Sequence, residues 1–524
     1  MPIHAAVNRR QFLVGAAALG AAAVGAVIGI DELLPGGSAR SHHRARRTAS
    51  PRSTTAAPRV PSDALHSEWV AEENAKPGTG DWQITGPAEG DAIESFASAV
   101  SATHGEKVTL FVSTGAKEFH VEAYRMGWYD GKGGRLVWTS ENVPGTRQAP
   151  AKVTPGVNLV EAPWEPSLVV SVDDSWPPGC YLLKLVAPAE GVQRWVPLTV
   201  RDDASHSAFL MMNAITEWQA YNEWGGYSLY FGRGLGGRTF ANRGRIVTFD
   251  RPYDQLGGAG DFVGLELPLV QLLEGRAYDV SYTTSVDFHR RPDLVLQHRA
   301  LLSPGHDEYW SKPMRDGAEA ARDHGVNIAF FGANAAYRQI RFEPSPVGSD
   351  RRQVCYKSAH EDPMNTVDPS VVTVNWRDAP VNRPENALIG QQYKCNPVRD
   401  DMVIVDPGAW MFEGTGVTMN QRLPTVIGPE CDAYVPGRQV PPNVQILAHS
   451  PVKCGGFSDM TYYSAPSGAG VFASGSIWWI TKVTPPGPGS PFDPIVTATT
   501  ENILRVFGSG PAGTTHPSQP KPIG

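Results

Sequence analysis

The chain is poor in cysteine, in charge and in long apolar runs. Its five cysteines (Cys180, Cys355, Cys395, Cys431, Cys454) show no C-x-x-C spacing, which argues against a structural zinc site. Beyond Ile30 no segment is apolar enough to cross a bilayer. Familiar catalytic signatures are missing as well: no G-x-S-x-G elbow, no H-E-x-x-H or P-loop, and no G-x-G-x-x-G in the strand-then-helix setting of a dinucleotide fingerprint. The run Gly232-Arg233-Gly234-Leu235-Gly236-Gly237 follows no clear strand and reads as a loop. Basic residues are scarce in the body. Residues 1–60 hold eight Arg against Asp31 and Glu32, a net of +6, so with −7 for the whole chain the remainder carries −13. A body that acidic excludes nucleic acid as a partner.

What is present starts with Asn8-Arg9-Arg10-Gln11-Phe12-Leu13 ahead of a weakly hydrophobic Ala/Gly/Val stretch from Val14 to Ile30. Paired arginines before such a run resemble a twin-arginine export signal, here residues 1–35, and place the protein in the periplasm, the cell envelope or outside the cell. No clean Ala-x-Ala site precedes Asp31, so the sequence leaves cleavage against anchoring open. Residues 36–62, rich in Gly, Ser, Arg, Thr, Ala and Pro, read as a disordered basic linker. Export permits disulfides. Proximity in sequence favours Cys355 with Cys395 and Cys431 with Cys454, although spacing does not fix connectivity.

The globular part opens at 63–203 with a polar stretch, HSEWVAEENAKPGTGDW, expected as an extended arm, and then short strand signals between Gly/Pro/Asp clusters from Val108 to Val200. Six or seven short strands in that span predict an immunoglobulin-like antiparallel β-sandwich. YRMGWYDGKGGR (Tyr124–Arg135) is its richest segment, either a packed turn or a ligand contact. From Ser207 the pattern changes to alternating β and α, the mark of a doubly wound parallel sheet. Ala208–Met212 and Val280–Thr283 read as buried strands and Leu265–Leu273 as a helix. This α/β domain spans 204–342, is interrupted by an inserted subdomain over 343–440, and closes over 441–507 with a strand in Ala469–Ile480 and a helix at Pro494–Phe507. The tail 508–524 is expected to be disordered.

The organising stretch is Arg299–Arg338. Arg299–Ser303 and Val326–Phe331 are short apolar runs, and between them Ser311 suits an N-cap, Pro313 the first helical turn, and Met314, Ala318 and Ala321 recur at helical spacing before Gly325. Strand–loop–helix–strand predicts two parallel neighbours, so the segments after them open on one edge, where α/β sheets bind ligands. His306-Asp307-Glu308-Tyr309-Trp310 is expected there as a loop. The oxygen-rich set at that edge comprises Asn213, His306, Asp307, Glu308, Tyr309, Asn334 and Tyr337. The plain alternative is a polar rim with packed tyrosines. Two phenolates with a carboxylate form a hard anionic site suited to ferric iron, which holds phenol ligands deprotonated below their free pKa of about 10.

The segments YRMGWYDGKGGR, WQAYNEWGGYSLY, SPGHDEYWS, GANAAYR, FEGTG and SGSIWW occur in this order along the globular chain. They resemble the large (beta) subunit of N,N-dimethylformamidase and its relatives. The resemblance implies a glutamine-amidotransferase-like α/β domain with an added β-sandwich, a mononuclear ferric ion held by two tyrosines and one glutamate, and hydrolysis of a small amide. Carried onto this sequence, the tyrosines are Tyr309 and Tyr337, and the glutamate is Glu430, with Glu413 of FEGTG as competitor. His306, Glu308 and Asn334 are the catalytic candidates, His306 or Glu308 as proton shuttle. The family's small alpha subunit is not evident in this chain, and a homo-oligomer is left open. The expectation is an exported iron-dependent amide hydrolase. Against it stands a secreted non-catalytic binding protein, for a glycan or another ligand, on the same fold.

Overall fold

The computed structural model describes residues 65–87, 90–234, 237–484 and 490–521. The expected export signal and linker lie outside the described residues. No helix among the described residues is long and apolar enough to cross a membrane.

The protein is mixed α/β, built around a seven-stranded sheet. Its strands are β1 (Phe209–Asn213), β2 (Val280–Thr284), β3 (Ala300–His306), β4 (Asn327–Ala333), β5 (Gln445–Pro451), β6 (Phe457–Ser464) and β7 (Gly470–Ala473), in the order β2-β1-β3-β4-β7-β6-β5. β2, β1, β3, β4 and β7 run parallel, while β6 and β5 are antiparallel to their neighbours. The expected parallel pairing of β3 and β4 is seen over seven residue pairs, Ala300↔Asn327 to His306↔Ala333.

Side chains alternate across a strand, and both faces of this sheet are covered. Met211, Leu302, Phe331 and Phe472 join one apolar cluster with α2 (Leu267–Gly275) and α4 (Pro494–Phe507). Met212, Leu301, Phe330 and Val471 join another with Met314, Ala318 and Ala321 of α3 (Lys312–Asp323). Burial on both faces is why these strands read as unbroken apolar runs. α3 starts as its sequence dictates: the Ser311 side chain accepts from the Met314 N–H, and Pro313 sits in the first turn.

Residues 93–200 fold into two larger sheets and the small hairpin Lys152–Thr154 with Leu159–Glu161. One contains Ile93–Ala97, Lys107–Thr114 and Leu168–Ser171; the other is centred on Gly179–Ala187 between Val192–Val200 and Glu118–Met126. Val108, Leu110 and Val170 of the first meet Val121, Leu183, Leu185 and Val196 of the second in a shared core. The second sheet is buried on its other face too, since Tyr124, Met126, Cys180 and Leu182 belong to the core of the seven-stranded sheet. A fully buried ion pair ties the two parts together: Arg125 Nη2 lies 2.7 Å from Glu274 Oε1 of α2. The segment Tyr124–Arg135 is therefore a packed turn at this junction.

Four expectations change. The arm after His66 contains a helix, Glu68–Asn74, whose Asn74 is buried against Glu274. Residues 343–440 do not own a core: Met402, Ile404, Phe412, Leu423 and Ile427 pack in the cluster of α2 and α4. The tail expected as disordered carries the short helix Ala512–Thr515, and Tyr462 Oη donates to the His516 carbonyl at 2.8 Å. The disulfide joins Cys395 to Cys454, with Cα atoms 6.6 Å apart, while Cys180, Cys355 and Cys431 are free and buried. Cys355 packs instead with Tyr309, Val247 and Ile340, and the β5–β6 turn brings Cys454 to Cys395. Cys431 is the register partner of Cys395, with sulfurs 3.7 Å apart.

Candidate active site

β1 leads outward to β2 on one side, and β3 leads to β4 on the other. Their connections diverge beyond the carboxyl ends, which leaves a crevice at the point where an α/β sheet presents ligands. The crevice is polar. β1 ends at Asn213 and is followed by α1 (Ile215–Tyr221). Glu217 and Tyr221 lie four residues apart on α1, hence on one face, one turn apart. β3 carries His306 as its last residue. The next residues were expected as a loop, but Tyr309–Ser311 forms a strand of a second, four-stranded sheet, parallel to Arg338–Glu343. Asp307 and Glu308 thus form the step between two sheets, and the Ala336, Tyr337 and Arg338 N–H groups donate to their carbonyls.

Glycine makes the close approach here. Gly305 is at φ +60°, and a Cβ on Gly332 would lie 1.8 Å from the Gly305 carbonyl oxygen. Asn334, just past β4, is held at φ +56°, a conformation an Asn tolerates better than most residues.

His306 is the hub. Its Nδ1 lies 2.6 Å from Glu217 Oε1, and both side chains are fully buried. Its Nε2 faces Glu430 Oε2 at 3.5 Å, Asn334 Nδ2 at 3.5 Å and Glu308 Oε2 at 3.8 Å. Glu430 accepts from Asn334 Nδ2 at 2.8 Å and Asn396 Nδ2 at 2.9 Å. Asn334 Oδ1 is buried with no hydrogen-bond partner among the described residues.

Glu308 gathers the phenols. Tyr230 Oη donates to Glu308 Oε2 at 2.5 Å, Tyr221 Oη lies 3.2 Å from the same oxygen, and the two phenol oxygens are 2.9 Å apart. The two rings stack with centroids 4.3 Å apart. Arg338 Nε donates to Glu308 Oε1 at 3.1 Å. Burial, and then the Glu308 charge, push the Tyr230 phenol well above its ordinary pKa. Glu217, His306 and Glu308 also form a group whose ligand atoms all lie within 4.8 Å of one another.

Tyr309 and Tyr337 make other contacts. Tyr309 Oη accepts from Lys357 Nζ at 2.7 Å. Tyr309 is fully buried, which raises its phenol pKa, and the Glu308 charge adds to this. Tyr337 is half-buried, its ring tilted against Tyr393 with centroids 5.1 Å apart and the Arg338 and Arg377 guanidinium groups 4.7 and 5.1 Å from it. Tyr309 pairs in register with Arg338 in the second sheet, so its ring turns into the cluster of Cys355 and Ile340. Glu413 is remote in character, with a 74% exposed side chain paired to Arg505. Of the expected residues, His306, Glu308, Asn334 and Glu430 meet.

Glu217, Tyr221, Tyr230 and Lys357 complete the site without having been singled out. Three of them lie in or beside WQAYNEWGGYSLY, whose density of aromatic and amide side chains was the available signal. Lys357 Nζ sits 3.3 Å above the Tyr230 ring, and burial lowers its pKa to about 7.

The edge thus holds a buried acidic cluster, with two phenols on Glu308, and His306 between Glu217 and Glu430. The chain belongs to the N,N-dimethylformamidase beta subunit-like family, whose C-terminal family model matches residues 120–489. No curated protein matches the chain. Among solved structures, an uncharacterized protein from Bacillus anthracis str. Ames, a 1.4 Å crystal structure, aligns at 11% identity over 20% of this chain and 78% of that chain, with a TM-score of 0.14.

Proposed function

We propose that the protein is an exported hydrolase of a small amide that uses one ferric ion. On this reading the parallel sheet is a doubly wound, amidotransferase-like one and residues 93–200 form an immunoglobulin-like sandwich. One observation carries the metal: Tyr221 Oη, Tyr230 Oη and Glu308 Oε2 lie within 2.5–3.2 Å of one another. Two phenols and a carboxylate are the donor types the family resemblance implies, and three such oxygens neutralise a trivalent cation. Tyr221, Tyr230 and Glu308 therefore replace Tyr309, Tyr337 and Glu430 as the proposed ligands, and Glu430 becomes an acid–base partner.

Ferric iron held there would polarise the amide carbonyl and acidify a bound water. The chain supplies the rest. Amide hydrolysis needs a proton removed from water and one delivered to the leaving amine. His306 Nε2 is placed for both transfers, beside the Glu430 carboxylate. Asn334 Nδ2 holds Glu430, and its buried Oδ1 is an acceptor for an N–H or a water. Arg338 balances Glu308 on the side away from the phenols. Lys357 covers the Tyr230 ring.

Elemental analysis and a visible spectrum of protein purified without chelators, with turnover of N,N-dimethylformamide, test the reading. About one iron per chain, a phenolate-to-iron band and amine release support it. Folded, colourless, iron-free protein without turnover would leave the non-catalytic binder. Export is tested separately: changing Arg9 and Arg10 to lysine should strand the protein in the cytoplasm.

A further inference from the structure

We propose that Glu217 is a positioning residue for the hydrolysis, acting through His306 and not as a metal ligand. The inference rests on the amidase reading above. With 2.6 Å between Glu217 Oε1 and His306 Nδ1, two lone pairs face to face would repel, so a proton lies between them. His306 is then in the tautomer that carries hydrogen on Nδ1 and leaves Nε2 as a base toward Glu430 and Asn334. The second carboxylate oxygen is also engaged, since Glu217 Oε2 accepts the Glu308 backbone N–H at 3.2 Å. One side chain thus fixes both the tautomer of His306 and the backbone from which Glu308 reaches Tyr221 and Tyr230.

The placement follows from α1. Glu217 and Tyr221 are four residues apart on this helix, so the turn that aims a phenol at Glu308 aims a carboxylate at His306. α1 itself is fixed: the Thr216 N–H donates to Ser285 Oγ at 3.1 Å and Thr216 Oγ1 donates to the Tyr309 carbonyl at 2.9 Å. Carboxylate, imidazole and reacting water in line repeat the logic by which an acid orients a catalytic histidine and stabilises its cationic form.

Glu217→Gln, His306→Gln and the double variant test this, each compared with wild type for iron per chain, the visible band, and kcat and KM on N,N-dimethylformamide. The expected result is kcat lower by a factor on the order of 10²–10⁴ in Glu217→Gln, with KM, iron and band kept, and no further loss when Glu217→Gln is added to His306→Gln. Unchanged kcat, losses that multiply in the double variant, or loss of iron in Glu217→Gln would each overturn the proposal; the last would make Glu217 a ligand. A second readout stands apart from turnover. In gallium-loaded protein the Nδ1-bound proton of His306 should give a strongly downfield NMR signal that disappears in His306→Gln. Its absence from wild type overturns the pairing even if no amide is hydrolysed, whereas its presence without turnover sinks only the amidase reading.

Discussion

Tyr230 donates its phenol proton to Glu308 across 2.5 Å. A proton in that place is what a metal ion would displace. Tyr230→Phe keeps the ring stacked on Tyr221 and removes one oxygen. It should lower iron content severalfold and shift or bleach the visible band, while Tyr309→Phe and Tyr337→Phe keep both. The reverse pattern would return the ligand role to Tyr309 and Tyr337.

The Arg125–Glu274 pair makes a prediction about how the two parts of the molecule hold together. Glu274 accepts from Arg125, from Tyr282 Oη at 2.9 Å and from Asn74 Nδ2. Glu274→Ala leaves a buried guanidinium without its counter-charge, which costs about 3–5 kcal/mol. Arg125→Leu combined with Glu274→Leu removes both charges and should cost less than Glu274→Ala alone. Urea unfolding midpoints of the variants check the order.

How much of this was legible in sequence depended on whether the signal was local. α3 announced itself through Ser311, Pro313 and the spacing of Met314, Ala318 and Ala321, because capping and amphipathic spacing act within one turn. β3 and β4 were legible as parallel neighbours for the same reason: one helix joins them. The histidine, Glu308, Asn334 and Glu430 were named, since three of them follow those strands closely. The phenols that meet at Glu308 were not singled out, because proximity to a strand end does not reveal into which sheet a residue turns. Tyr309 starts a strand of the second sheet, whereas Tyr221 and Tyr230 arrive from α1 and the loop behind it. Residues 343–440 looked like a separate unit because their apolar residues are spaced by Pro, Asn and Asp. Only long-range packing shows that Met402 and Phe412 complete the central core.

The cysteine pattern yields a chemical map. Protein unfolded without reductant should expose three alkylatable thiols, Cys180, Cys355 and Cys431, and yield a cross-linked peptide pair holding Cys395 and Cys454. The bridge spans a sequence separation of 59, for which the chain-entropy estimate of its stabilisation is about 4 kcal/mol. Cys454→Ser should lower stability by up to that amount, whereas Cys355→Ser should leave the bridge intact. A peptide linking Cys355 to Cys395 would contradict the fold around Tyr309.

His298 gives the clearest pH signature, and it lies away from the acidic crevice. The ring is buried at the entry to β3, with Nδ1 2.8 Å from the Ser207 carbonyl oxygen. Burial lowers its pKa from 6.5 to about 4. Between these values the unfolded chain binds a proton that the folded protein refuses, so stability falls as pH drops from 6.5 toward 4 and is fully present above 6.5. A shift of that size corresponds to about 3 kcal/mol at the acid end of the window. His298→Gln removes the titrating ring, so its stability should lose less than wild type over the same span. Other acid-sensitive groups act alike in both proteins and cancel in the difference. Unfolding free energies from urea titrations at several pH values between 4 and 7 measure it. A difference between wild type and His298→Gln that stays flat across that range would show that His298 protonates equally well folded and unfolded, against its burial beside Ser207.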